Sequence, residues 1–148
     1  MPVGKVDEVS VLNVCDLAPT FLRLAGGVMP EPYQSDGLDV SDALLGRPFH
    51  RTKPMMWHHP TRYKTLHALA IRDSPWKLLM DPDGSKLELY DVESDAGEQR
   101  NLAEANPPIV ARLKAALNDW VDSLPKPLPP LSTLAEPAAR IEAGRNAK

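Results

Sequence analysis

The chain has little of several features that define large classes of protein. Its 148 residues include one cysteine, Cys15, which excludes an internal disulfide and any cysteine-rich metal cluster. No apolar run approaches the roughly 20 residues that a membrane-spanning helix needs. The formal net charge of -3 gives no basic surface for nucleic acid. The segment Met1–Ser10 is polar without an apolar centre, so it predicts no signal peptide.

Proline, in contrast, is abundant, with 16 in the chain. The prolines cluster near residues 30–32, 48–60 and 125–137, which indicates loops in these segments. A hydrophobic content of 43% with 25% charged residues is typical of a globular protein, and the length fits one domain.

Helices are predicted near both ends. The segment Val9–Leu24 has an apolar lead and then helical spacing, with Asp16 as the N-cap and Pro19 in the first turn. The segment Ser41–Leu45 predicts a short helical turn capped by Ser41. Asn106 is predicted to cap a long C-terminal helix that ends before Pro125. Its apolar positions recur at three- and four-residue steps: Ile109, Leu113, Ala116, Leu117, Trp120 and Leu124.

Between these helices the sequence predicts strands joined by tight turns, which must be antiparallel. The predicted strands are Met55–His58, Ala68–Arg72, Trp76–Met80 and Lys86–Val92. The sequence therefore predicts an α+β domain over residues 1–125: a small antiparallel sheet of about three or four strands, packed by the long C-terminal amphipathic helix and the N-terminal helix. Residues 126–148, rich in Pro and Ala, predict a poorly ordered tail or a segment that embraces a neighbour.

Four phrases in this order resemble the C-terminal subdomain of formylglycine-type sulfatases, in the alkaline-phosphatase-like superfamily. They are Val14–Gly26; Asp36–Val40 with Leu44–Gly46; Ala70–Arg72 with Trp76–Leu78; and Leu87–Val92 with Asp95, Glu98 and Asn101–Ala103. Ser74-Pro75 departs from the glycine-containing turn usual in the family, which alters a hairpin. The resemblance implies a sulfuric ester hydrolase, usually periplasmic, secreted or lysosomal, whose catalytic N-terminal core precedes this segment and is absent from it.

The resemblance also implies where the reactive groups of such an enzyme lie. Sulfatases carry a formylglycine made from a Cys-x-Pro-x-Arg motif, and a divalent cation, usually Ca²⁺, held by acidic and amide side chains. Cys15 is followed by Asp16–Pro19, with proline at the wrong offset and no arginine, so it is not the nucleophile; a buried thiol at the head of a helix is preferred. The pairs Asp36/Asp39 and Asp81/Asp83 fit turns better than metal ligands. No catalytic residue, metal ligand or cofactor is therefore expected in this chain, and Ca²⁺ and formylglycine are expected only in the complete parent enzyme.

The one promising constellation surrounds two histidines that follow Trp57. His58 and His59 precede Pro60 at the end of a short predicted strand, with Arg62 and Tyr63 nearby. The resemblance implies a similar aromatic-His stretch at the rim of the substrate pocket, and histidine can donate to sulfate oxygens and titrates near neutrality. The alternative is an exposed loop with a packed Trp57, because strand alternation places the two histidines on opposite sides.

Other polar residues are interpreted as surface groups. His50 and His67 are solitary and predicted to be exposed, and Arg51–Lys53 and Arg62/Lys64 are predicted to form a solvated face. Three hypotheses for function follow. The chain is the C-terminal part of a sulfatase, forming one wall of the substrate cleft and inactive alone, or a stand-alone non-catalytic module that binds a sulfated glycan or a protein. The third hypothesis is a non-functional product of a truncated gene. The expected partners are the missing sulfatase core and a sulfated carbohydrate, without nucleic acid or membrane.

Overall fold

A computed structural model describes residue 4 and residues 6–59 and 67–125 of the chain; the predicted tail lies outside this part. The described residues form one 3-10 turn, Val14–Asp16, followed by three α-helices and four strands. These are α1 Leu17–Leu24, α2 Ser41–Leu44, β1 Met55–His58, β2 Leu69–Asp73, β3 Trp76–Met80, β4 Glu88–Asp91 and α3 Pro107–Ser123. Among the described residues no helix combines the length and apolar character needed to cross a bilayer.

The four strands form one antiparallel sheet in the order β1-β2-β3-β4, which confirms the predicted α+β fold. Strands β1 and β3 have the predicted bounds, and β2 lies one residue later than predicted. Strand β4 starts at Glu88 instead of Lys86. The reason is local: Lys86 has a φ of 51°, in the left-handed region, so extended pairing begins only beyond it.

One face of the sheet and helix α3 enclose the main hydrophobic core. Ile71, Leu78 and Leu89 line up across three strands, and α3 covers them with Leu113 and Leu117; none of these five is more than 1% exposed. Burying each such side chain contributes about 1.5–3 kcal/mol. The sheet and its covering helix therefore form the unit that holds the rest of the chain in place.

The outer edge of β4 is not left open. The backbone N–H of Leu102 donates to the carbonyl of Leu89 at 2.7 Å, and the N–H of Leu89 donates to Oδ1 of Asn101 at 3.1 Å. Nδ2 of Asn101 donates to the carbonyl of Leu87 at 3.1 Å. The segment between β4 and α3 thus satisfies polar backbone groups that an edge strand would otherwise expose.

Helix α1 is anchored by a buried carboxylate. Asp16 is 0% exposed, and its carboxylate accepts hydrogen bonds from the backbone N–H of Asn13 at 2.6 Å and of Leu38 at 2.8 Å. Arg51 donates to both oxygens, at 2.7 and 3.1 Å. Asp16 holds the N-cap position of α1, as predicted, but its side chain bonds to no amide of that helix; it is instead the capping-box partner of Asn13, which caps the preceding 3-10 turn.

Two further local predictions need correction. Arg51 is not solvated: its side chain is only 10% exposed, because it pairs with Asp16. Ser41 is the first residue of α2, and Val40 holds the cap position. Gly37 allows two backbone segments to approach closely, since a Cβ at Gly37 would lie 2.0 Å from the carbonyl oxygen of Cys15.

Candidate functional site

The end of β1 places the predicted site residues at the edge of the sheet. His58 pairs with Leu69, and the backbone N–H of His59 donates to the carbonyl of Ala68 at 2.8 Å. Both histidines are exposed, and Trp57 is 41% exposed. The alternative of a packed Trp57 is therefore wrong. Pro60, Arg62 and Tyr63, predicted to lie nearby, fall outside the described residues.

The strand separates the two histidines instead of bringing them together. Met56 packs against the core beneath α3, so alternation places His58 on the α3 side of the sheet. Trp57 and His59 belong to the opposite face. One face of the β1 end thus combines an exposed indole with one imidazole, and the other carries the second imidazole.

The face that bears Trp57 is polar and partly buried further along the sheet. Lys77 Nζ lies 2.6 Å from Glu98 Oε1, and the Tyr90 hydroxyl donates to Glu88 Oε2 at 3.1 Å. Burial and the hydrogen bond to Glu88 raise the pKa of the Tyr90 phenol above its ordinary value. His67 also approaches Glu88, with Nε2 at 3.5 Å from Oε2.

His67 was predicted to be a solitary surface residue, and this prediction is wrong. Its side chain is only 16% exposed because it turns toward Glu88. His50, in contrast, is exposed as predicted. The burial of His67 had no signal in the local sequence, since its partner lies on a strand 21 residues away in the chain.

Cys15 lies at the surface, so the preferred interpretation as a buried thiol is wrong. It sits in the middle of the 3-10 turn, with its backbone carbonyl against Gly37 and its side chain exposed. The carboxylate next to it, Asp16, is already bound by Arg51 and two backbone amides. Burial raises the pKa of the Asp16 carboxyl, but the bonds from Arg51, Leu38 and Asn13 outweigh it and hold the pKa below its ordinary value.

Two of the four aspartates with metal-like spacing bond to turn amides, as predicted. Asp39 accepts from the backbone N–H of Ser41, and Asp83 from that of Ser85, both at 2.9 Å. Asp81 pairs with Lys86 at 2.8 Å. Across residues 6–59 and 67–125 the structure brings together no group of three or more His, Cys, Asp and Glu side chains suited to a metal ion.

A groove of about 900 Å³ runs between the N-terminal segment and the β2–β3 turn. Its lining includes Arg51, Lys53 and Arg72, but also four acidic side chains: Asp7, Glu8, Asp73 and Glu93. The Nε atoms of Arg51 and Arg72 are buried without a hydrogen-bond partner. The balance of charges gives this groove no preference for an anion such as sulfate.

Known proteins resemble most of the chain. It is 29% identical over 140 residues to Delta 4,5-hexuronate-2-O-sulfatase of Bacteroides thetaiotaomicron, a match that covers 91% of this chain and 29% of that protein. It is 31% identical over 127 residues to an uncharacterised sulfatase of Schizosaccharomyces pombe, covering 76% of this chain and 22% of that protein. A solved 2-O GAG sulfatase matches with a TM-score of 0.54 and 28% identity, over 72% of this chain and 24% of the other.

The chain is a C-terminal sulfatase subdomain. The sequence similarity and the fold similarity together lead to this assignment, and both agree with the order of motifs from Val14 to Ala103. No family profile matches the chain. The subdomain spans 21–29% of the length of the curated sulfatases that it matches, so most of each relative has no counterpart in it.

Proposed function

We propose that this sulfatase subdomain forms one wall of the substrate cleft in a complete sulfuric ester hydrolase and is inactive by itself. The observation that carries the proposal is the partial coverage: the relatives are sulfatases, and the chain matches less than a third of each. In this proposal the formylglycine and the Ca²⁺ belong to the core that precedes the subdomain. The subdomain contributes shape and contacts to the substrate.

Cys15 supports the proposed inactivity. It lacks the Cys-x-Pro-x-Arg context of a formylglycine precursor, and the carboxylate of the next residue, Asp16, is paired with Arg51. A hard cation needs about six oxygen ligands that converge on one point. The surroundings of Cys15 do not fit such a ligand set, so the reactive groups are assigned to the rest of the enzyme.

The end of β1 supports the cleft role. Trp57 offers a flat apolar surface on which a sugar ring can stack, and an imidazole beside it can donate to sulfate oxygens. His59 shares the face of Trp57, whereas His58 lies toward α3. We therefore assign substrate contact to Trp57 and His59 first, and to His58 only if the cleft extends around the edge of the sheet. The proposed substrate class is a sulfated carbohydrate, the class named for the Bacteroides relative.

Turnover by the purified chain tests the inactivity. We expect no hydrolysis of an aryl sulfate or a sulfated disaccharide, with or without Ca²⁺, while a full-length sulfatase under the same conditions is active. Metal-dependent turnover by the 148-residue chain would contradict the proposal that the reactive groups belong to the rest of the enzyme.

Substitution of each histidine, in a complete enzyme that carries this subdomain, tests the cleft role. We expect His59→Ala to raise KM several-fold with little change in kcat, because the contact is made in the ground state and the transition state alike. His58→Ala serves as the matched neighbour and should have the smaller effect. Unchanged kinetics in both variants would contradict the assignment.

Binding by the isolated chain separates this proposal from a stand-alone glycan module. We expect weak or no binding of a sulfated disaccharide by calorimetry, because one wall of a cleft leaves most of a ligand in water. Micromolar affinity without the core would favour the stand-alone module.

A further inference from the structure

Helix α1 turns its large apolar side chains to the surface, and its buried side is formed by Pro19 together with the polar side chains of Asp16 and Thr20. Asp16 and Thr20, one helical turn apart, are both 0% exposed. Leu17, Phe21 and Leu24 recur at four- and three-residue steps, share one side of the helix, and are 41%, 56% and 47% exposed. This is the reverse of the usual arrangement in a surface helix, whose apolar stripe faces the core.

The buried contacts fix this orientation. The carboxylate of Asp16 is bonded to Leu38 N–H and to Arg51. The hydroxyl of Thr20 accepts from Val40 N–H at 2.9 Å and donates to the carbonyl of Leu38 at 3.4 Å. A rotation of the helix that buried the apolar side would break all of these hydrogen bonds. It would also separate the buried ion pair between Asp16 and Arg51. The apolar side must therefore be covered by something other than the elements that hold the helix.

The exposed apolar surface begins before the helix. Val14, one turn before Leu17 in the 3-10 turn that leads into the helix, is 75% exposed. We call Val14, Leu17, Phe21 and Leu24 the α1 stripe. Single exposed apolar residues are common on proteins, but a continuous row of this kind marks an interaction surface.

We propose that the α1 stripe is the surface by which the subdomain docks onto the core of a sulfatase, an inference that rests on the proposed function. The match to the Bacteroides sulfatase leaves only about 13 of the 148 residues outside it, so it includes Leu17–Leu24. That relative therefore contains a segment that aligns with Leu17–Leu24, and more than two thirds of its length has no counterpart in this chain. This missing polypeptide is the partner that we propose covers the α1 stripe.

Binding to a separate core tests the proposal. The probe is the part of the Bacteroides Delta 4,5-hexuronate-2-O-sulfatase outside the match, co-expressed with the 148-residue chain so that both fold together. We expect the unmodified chain to co-purify with it, and the double variant Leu17→Glu/Phe21→Glu to lose about tenfold or more in affinity, as charged groups in an interface centre do. Ala115→Glu/Asn118→Glu, which adds the same two negative charges at exposed positions of α3, is the control and should bind normally.

The other outcomes overturn the proposal in distinguishable ways. Equal binding by all three chains would show that the α1 stripe is not the docking surface. It would leave the sulfatase assignment and the cleft role intact. No binding by the unmodified chain would show that the sulfatase core is not the partner that covers the α1 stripe. Sedimentation that shows dimers of the unmodified chain, dissociated by Leu17→Glu/Phe21→Glu, identifies a second copy as the occupant.

Discussion

Asp16→Asn is the substitution whose effect the structure specifies most closely. Each carboxylate oxygen accepts two bonds: Oδ2 from Asn13 N–H and Arg51, and Oδ1 from Leu38 N–H and Arg51. An amide group must place its NH₂ at one of these positions, where it meets two donors, whichever way it is turned. The variant also leaves the charge of Arg51, 10% exposed, without a counter-ion.

Removing one partner of a buried ion pair costs about 3–5 kcal/mol. Since urea m-values are about 1–3 kcal/mol/M for small domains, we expect the urea midpoint of Asp16→Asn to fall by at least about 1 M. Asp42→Asn is the matched control, because Asp42 pairs with Arg47 at a site where both side chains are more than half exposed. That variant should lose less than about 1 kcal/mol.

Unfolding followed by circular dichroism gives both midpoints, and hydrogen exchange at the Leu38 and Val40 amides reports the N-terminal segment directly. A loss for Asp16→Asn no larger than that for Asp42→Asn would refute the assignment of a buried, stabilising carboxylate. The same result would also contradict the inference that the bonds of Asp16 fix the orientation of α1.

The pH dependence of the same pair gives an independent check. The pKa of Asp16 is lowered from 3.8 in the folded chain. Its contribution to stability is therefore complete above 3.8 and is lost as the pH falls through the lower, folded-state pKa. The stability difference between the unmodified chain and Asp16→Asn should be constant near neutrality and shrink in acid. A difference that grew in acid would mean that the pKa is shifted the other way.

Three more substitutions test separate parts of the fold. Gly37→Ala should destabilise the N-terminal segment by about 1–3 kcal/mol, measured by urea unfolding, because its Cβ would meet the Cys15 carbonyl at 2.0 Å; full stability would show that the loop can move away. Leu117→Ala should cost about 2–5 kcal/mol in thermal or urea unfolding, since the side chain is 0% exposed beneath the sheet, and a loss under 1 kcal/mol would contradict its place in the core. Asn101→Ala should cost about 1–3 kcal/mol and speed hydrogen exchange of Leu89, whose N–H would lose its acceptor; unchanged exchange there would contradict the bond.

The sheet and α3 were predictable from the sequence because their signals are local. The short apolar-aromatic run Met55–His58 and the segment Trp76–Met80, bordered by prolines and turns, predict strands with the bounds that the structure shows. The same holds for α3, where Asn106 takes the cap position before two prolines, although its side chain donates to Leu102 instead of capping an amide.

Two of the errors concern residues whose partners are distant in the chain. Arg51 and Asp16 are 35 residues apart, and nothing near either one indicates that they meet. His67 Nε2 lies 3.5 Å from Glu88 Oε2, on a strand 21 residues away in the chain. For the site, strand alternation alone places Trp57 and His59 on one face and His58 on the other. Only the packing of Met56 against the core shows that the face of His58 is the one toward α3.

The coverage of β4 by Asn101 and Leu102 has a consequence for how the subdomain can join other polypeptides. A sheet of four strands has two rims, and here one rim is already occupied by the chain itself. A strand donated by a neighbour could extend the sheet only alongside β1, next to the residues assigned to substrate. Any such extension would bring the donor's own side chains to the mouth of the cleft.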